Sequence, residues 1–287
     1  MLTEIADTMT QPLIFPRIDP VMLHLGPISI RWYAVAYIVS LLLGWRLVRK
    51  LVRQSPVVAT LDQVDDFLTW AVLGVVLGGR IGYVLFYNLP LYMAHPLGAL
   101  EVWHGGMSFH GGMLGVALAI FLFCRRNHIK ILGFADRIAV AVPIGLGFGR
   151  IANFINGELW GRPAPPWLPW AMIYPDSAPV DGLIVPRHPS ELYECLMEGV
   201  ILFTVLYRMA RRETVRLHYG MLTGTFLTGY AIARFVGEMF RQPDPQLGYL
   251  WLGLTMGQYL SLPMFVAGLG LIAWARRHPA PLVATNA

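Results

Sequence analysis

Apolar residues gather along this chain into seven stretches, residues 28–48, 68–87, 107–124, 137–155, 189–208, 221–240 and 252–275, separated by short polar or charged intervals. Each holds about 20 residues, the number a helix needs to cross the hydrocarbon core of a bilayer. The pattern predicts an all-α polytopic membrane protein of about seven transmembrane helices, folded as a single integral membrane domain over residues 1–287. The third and fourth stretches are the least regular. Gly105, Gly106, Gly111 and Gly112 crowd one end of the third, and polar residues close the fourth. No internal repeat or low-complexity tract interrupts the series.

Basic residues fall between the apolar stretches in an uneven way. Arg46, Arg49, Lys50 and Arg53 follow the first, Arg125, Arg126, Lys130 and Arg137 the third, Arg208, Arg211, Arg212 and Arg216 the fifth, and Arg276 and Arg277 the seventh. Fourteen of the 22 lysines and arginines thus share one side. Cytoplasmic loops carry such an excess, so the N-terminus is expected outside and the C-terminus in the cytoplasm. The loop 160–188 then lies outside, and its many prolines with Trp167, Trp170 and Tyr174 suggest a compact lid or interfacial platform.

Composition agrees with the pattern. Of 287 residues 56% are hydrophobic and 14% charged, against a usual charged share of about a quarter. A pI near 9.4 would suit a nucleic-acid binder, but the basic residues are spent on orientation, so nucleic acid is not an expected partner. The first 27 residues lack a basic leader, holding Glu4, Asp7 and Asp19 beside Arg17, and run into an apolar stretch too long for a signal peptide, so the first span is expected to be retained. Cys124 and Cys195 fall near opposite faces of the predicted bundle and are expected not to pair; no Cys and His spacing suggests a metal, and no cofactor is expected.

Some polar residues sit where an apolar stretch does not call for them. A charge at membrane depth costs several kcal/mol unless it is paired or wetted, which makes each a functional candidate. Gly74, Gly78 and Gly82 recur every four residues and read as a helix-packing face, but Arg80 among them has no assigned role. Three constellations converge on the outer side. The first is 103–112, in which His110 can exchange a proton near neutral pH and His104 reads as interfacial. The second is Arg150, Asn153, Asn156 and Glu158, with Gly157 set to end the helix. The third is Tyr230, Arg234, Glu238 and Arg241, spaced to share one helical stripe. Arg150, Arg234 and Arg241 against Glu158 and Glu238 leave a formal excess of one positive charge. A single phosphodiester would balance it, and arginine forks match phosphate oxygens.

These residues carry a resemblance. Gly149-Arg150-x-Ala152-Asn153-Phe154-x-Asn156-x-Glu158-x-x-Gly161 resembles the signature of the bacterial phosphatidylglycerol:prolipoprotein diacylglyceryl transferases. The likeness extends over nearly the whole chain through residues 105–112, 187–194, Arg234-Phe235-x-x-Glu238 with Arg241, Pro243 and Asp244, and Gly257-Gln258 before Ser261 and Pro263. Ala152 stands where glycine is common, and Glu191 where glutamine is usual, adding a charge near the outer surface. Position by position, the resemblance implies importance for Tyr33, His110, Arg150, Asn153, Glu158, Tyr230, Arg234, Glu238 and Arg241.

It also implies an activity: transfer of the sn-1,2-diacylglyceryl group from phosphatidylglycerol to the lipobox cysteine thiol of a prolipoprotein, with release of glycerol 1-phosphate. The catalytic set would be His110, Arg150, Glu158, Arg234 and Glu238, and the lipid-binding set Tyr33, Arg150, Asn153, Tyr230, Arg234 and Arg241. Such a chain belongs in the bacterial inner membrane with its site toward the outer face. Two other classes share some of these features. A lipid or solute transporter also places polar residues in spans, although no pair of repeat-related broken helices is visible. A serine hydrolase would use Ser108 and His110, but two residues two apart point away from each other on a strand or a helix.

Overall fold

The computed structural model describes residues 11–26, 28–87, 89–101, 105–243 and 248–280; His104 and Asp244 lie outside them. Helices dominate: α1 (Trp32–Val52), α2 (Leu61–Phe86), α3 (Leu89–Ala94), α4 (Phe109–Arg126), α5 (Ile131–Asn156), α6 (Ser190–Glu194), α7 (Leu202–Ala210), α8 (Glu213–Arg216), α9 (Met221–Gly237) and α10 (Met256–Arg277). A π-helical stretch, Cys195–Ile201, joins α6 to α7 with helical backbone at both junctions, so the three form one continuous rod. Every apolar stretch of the sequence contains helix, with altered bounds. The first loses residues 28–31, which form strand β3 (Ile28–Arg31) against β2 (Val21–Leu25) in antiparallel register. The second gains a polar turn because Thr60 caps α2: its Oγ accepts from the Gln63 N–H, and its own N–H donates to Gln63 Oε1.

Three of these helices, α2, α5 and α10, are long and apolar enough to cross a membrane. Their side chains are distributed inside out relative to a water-soluble protein. On α2, Leu73, Leu77, Ile81 and Leu85 are exposed while Gly79, Arg80 and Gly82 are buried. Water would penalise that much exposed leucine, whereas lipid does not. The chain is a helical membrane protein.

The chain divides into two compact units, residues 1–44 with 139–279, and residues 45–138 with 280–287. In the second, α2 and α4 meet along their glycines. A Cβ added to Gly74 would lie 2.8 Å from the Gly115 carbonyl oxygen, and one on Gly82 would lie 2.7 Å from Gly111 Cα. The glycine face expected on α2 is therefore a contact surface in which backbones touch. At its other end Phe67 packs against Phe123 and Phe134, with ring centroids 5.3 and 5.1 Å away.

The first unit contains α6, the π segment, α7, α9 and α10, together with the loop 160–188. Two strands, β1 (Leu13–Ile14) and β4 (Met172–Ile173), pair in parallel there, and Phe15 stacks on Tyr174 at 5.0 Å. The loop 160–188 is closed at its base. The Gly161 N–H donates to the His188 carbonyl at 2.9 Å and the Arg162 N–H to the Phe240 carbonyl at 2.8 Å. Arg187, fully buried, donates to the carbonyls of Gly161 and Ala178.

Candidate active site

The first unit gathers its charges where α5, the α6–π rod and α9 face one another. Gly147 and Gly199 make this possible: a Cβ on Gly199 would sit 2.7 Å from Gly147 Cα, so the π segment rides directly on α5. Arg150 lies three residues beyond Gly147 on the same side of α5, and Glu198 adjoins Gly199. The Arg150 Nε and Nη2 donate to Glu198 Oε2 at 3.3 and 3.2 Å. Its Nε also lies 3.0 Å from Glu194 Oε2, close enough for an ion pair but outside hydrogen-bond geometry, since that oxygen has no hydrogen-bond partner.

Glu194 reaches the other way as well. Its Oε1 accepts from Arg234 Nη1 at 3.0 Å, and Arg234 Nη2 pairs with Glu238 one turn further along α9. Arg241 Nη1 stands 3.7 Å from the same Glu238 oxygen. One carboxylate thus spans two guanidinium groups, and a second ties Arg234 to Arg241. Glu194 and Glu198 are fully buried, and Arg150 and Arg234 retain 15% of their side-chain surface. Tyr230 is buried one turn before Arg234.

This arrangement revises the charge count. Arg150, Arg234 and Arg241 face Glu194, Glu198 and Glu238, three against three, so the cluster is formally neutral rather than singly positive. Glu158 belongs to a neighbouring group instead. Gly157, with φ +64°, ends α5 as expected, and beyond it the Glu158 carboxylate accepts from Asn153 Nδ2 at 2.9 Å and Asn156 Nδ2 at 3.4 Å. Asn156 Oδ1 is buried without a partner.

The loop 160–188 holds the turn that follows α9. Arg162 donates Nε to the Arg241 carbonyl at 2.9 Å and Nη2 to the Glu238 carbonyl at 2.8 Å. Both carbonyls lie past Gly237, the last residue of α9, so Arg162 fastens the turn that follows the helix. Gly161, the last residue of the signature, has no room for a side chain, since a Cβ would meet His188 and Phe240. His188 packs against Tyr193 and Phe240, and burial holds its imidazole below the usual histidine pKa. Burial beside the Glu191 carboxylate pushes the Tyr174 hydroxyl up, and that hydroxyl donates to Glu191 Oε2 at 3.2 Å. Glu191 itself is fully buried.

The remaining candidates are placed less closely. Tyr33 lies in the first turn of α1 with its ring 5.3 Å from Tyr37, and none of the described contacts joins it to the arginines. His110 occupies the first turn of α4, in the other unit, and its side chain lies outside the described residues. Cys124 and Cys195 are free thiols. From the sequence, Glu194 counted only as part of the 187–194 motif, without a role, and Glu198 and Arg162 were not singled out. Glu191, Glu194 and Glu198 sit in an apolar stretch at spacings of three and four, so the argument that singled out Arg150 applied to them equally.

Comparison with known proteins matches this chain to a family. Residues 20–274 fit the family model described as prolipoprotein diacylglyceryl transferase. A phosphatidylglycerol–prolipoprotein diacylglyceryl transferase of Gluconacetobacter diazotrophicus is 62% identical over 272 residues, covering 95% of each chain. Proteins of the same name from Gluconobacter oxydans, 56% identical over 96% of this chain and 99% of the relative, and from Acidiphilium cryptum, 57% identical over 95% and 97%, are also similar. With a model spanning most of the chain and more than half of all positions shared with these relatives, the protein belongs to the prolipoprotein diacylglyceryl transferase family.

Proposed function

We propose that this protein transfers the sn-1,2-diacylglyceryl group of phosphatidylglycerol to the lipobox cysteine of prolipoproteins, the first step of lipoprotein maturation. The thiolate sulfur attacks the glycerol carbon that bears the phosphate. A sulfur–carbon bond forms, the carbon–oxygen bond breaks, and its electron pair leaves with glycerol 1-phosphate. The thiol proton must pass to a base, for which His110 is the candidate. Arg150 and Arg234 would hold the phosphate and follow its growing charge, while Asn153 donates to the head group. Tyr33, Tyr230 and Arg241 would line the lipid site, and Glu238 and Glu158 orient arginine and asparagine partners. No metal or organic cofactor is required for a displacement driven by position and charge.

The observation that carries this reading is Glu194 spanning two arginines: it holds two guanidinium groups on the two oxygens of one anion, a spacing that two oxygens of a phosphate also meet. In the same reading the chain forms one integral domain of seven spans in the bacterial inner membrane. The N-terminus faces outward, the C-terminus the cytoplasm, and the site the outer side. The test is a mass measurement on a lipobox peptide incubated with the purified protein and phosphatidylglycerol vesicles. A gain equal to one diacylglyceryl group is expected. An unchanged peptide mass, with lipid or solute flux across the same vesicles, would make the protein a transporter instead.

A further inference from the structure

We infer that Arg80 is a positioning residue for the transfer reaction, fixing the glycine segment from which α4 and His110 begin; the inference rests on the activity proposed above. Arg80 lies within the apolar run of α2 and is 6% exposed. A buried guanidinium there is costly unless every donor is used. Its nitrogens go to backbone carbonyls of the chain between α3 and α4: Nε to Ala99 at 2.9 Å, Nη2 to Gly98 at 2.7 Å, and Nη1 to Gly105 at 2.5 Å and Gly106 at 3.2 Å. Tyr92 flanks the group with its centroid 5.2 Å away.

The Gly98 carbonyl also accepts from the Glu101 N–H at 3.1 Å, so Arg80 reinforces that turn as well as gathering carbonyls that lie outside regular structure. Gly98 and Ala99 belong to the single 3-10 turn Pro96–Leu100, and Gly105 and Gly106 sit at φ +82° and +77°, outside any helix or strand. Gly106 lies under the Tyr83 ring, where a Cβ would come 2.7 Å from Tyr83 Cδ1. Immediately afterwards the Ser108 N–H donates to the Gly79 carbonyl at 2.8 Å, and Ser108 Oγ caps α4 by accepting from the Gly111 N–H. Adjacent residues of α2, Gly79 and Arg80, thus hold Gly98, Ala99 and residues 105–108 and set the starting point of α4, whose first turn contains His110. A lysine keeps the charge but has a single nitrogen, which cannot serve four carbonyls arrayed around a planar fork.

The experiment is a double-mutant cycle on the full-length protein in detergent, with phosphatidylglycerol and a lipobox peptide, comparing wild type, R80K, H110Q and R80K/H110Q. Displacement of a catalytic group by about 1 Å costs on the order of a hundredfold, so R80K is expected to lower kcat by roughly ten- to a hundredfold. KM for both substrates should stay within about twofold, a signature of an effect confined to the transition state. In the H110Q background the R80K effect should shrink below about threefold, because the group it positions is already gone. An equal factor in both backgrounds, a wild-type kcat in R80K, or a defect confined to KM overturns the inference. Should R80K fail to accumulate, G106A replaces it: it leaves Arg80 intact, displaces the same segment against Tyr83, and is expected to give the same non-additive loss of kcat. Failure of the wild-type protein to modify the peptide would overturn the proposed activity itself, a separable result.

Discussion

Glu194 answers to two arginines on different helices, and that makes Arg234 the residue at which recognition and architecture separate most cleanly. Lysine at 234 keeps a charge for Glu194 and Glu238 but loses the fork. A charge-assisted hydrogen bond is worth about 1.5–3 kcal/mol, so Arg234→Lys is expected to slow transfer by roughly ten- to a hundredfold with a nearly unchanged melting temperature. Arg234→Ala leaves buried Glu194 with Arg150 alone and Glu238 with Arg241 alone, an effect of up to about 3–5 kcal/mol, and should lower the melting temperature as well as abolish transfer. Transfer rates and detergent melting curves of both variants decide the matter; a lysine variant with wild-type rate would reduce Arg234 to a structural ion pair. At this scale Arg150, Asn153, Arg234 and Glu238 were legible because each is a polar residue in an apolar context. Their partners were not. The neutrality of the cluster depends on Glu194 and Glu198 arriving from another helix, and no spacing along the chain reveals which helix lies opposite.

Among the elements, the seam between α2 and α4 carries the clearest energetic consequence. Its glycines touch backbone to backbone, so a side chain there has to push two helices apart. Gly78→Leu is expected to lose at least about 3 kcal/mol, at or beyond the upper end of ordinary overpacking. Leu77→Val, on the exposed side of the same helix, should change the melting temperature little. If both variants melt like the wild type, the seam is not a tight contact in solution. The four-residue glycine period foretold a packing face without naming its partner. Arg80, unassigned from the sequence, was opaque for a different reason: its acceptors are carbonyl oxygens, which every residue possesses and no sequence pattern marks.

For the molecule as a whole, the orientation argued from basic residues makes opposite predictions for two exposed positions. A cysteine at Ala178, in the outer loop, should react with an impermeant maleimide in intact cells, whereas one at Thr214, beside the Arg211, Arg212 and Arg216 cluster, should react only after lysis. Labelling in the reverse order would invert the topology and move the arginine cluster to the cytoplasmic side. The helical membrane class was legible because apolar stretches of spanning length are hard to mistake; each holds helix, and three of the described helices are long and apolar enough to span. Where helices begin and end was less so, since capping by Thr60 and strand pairing by residues 28–31 draw on neighbours beyond the apolar window. The outward leucines of α2 carry one more implication. Leu73, Leu77, Ile81 and Leu85 meet whatever surrounds the protein, so the amphiphile that replaces lipid is effectively a bound component of the native state. A melting temperature for this chain therefore belongs to the protein and its detergent together, and only variants measured in one micelle of one chain length can be ranked against each other.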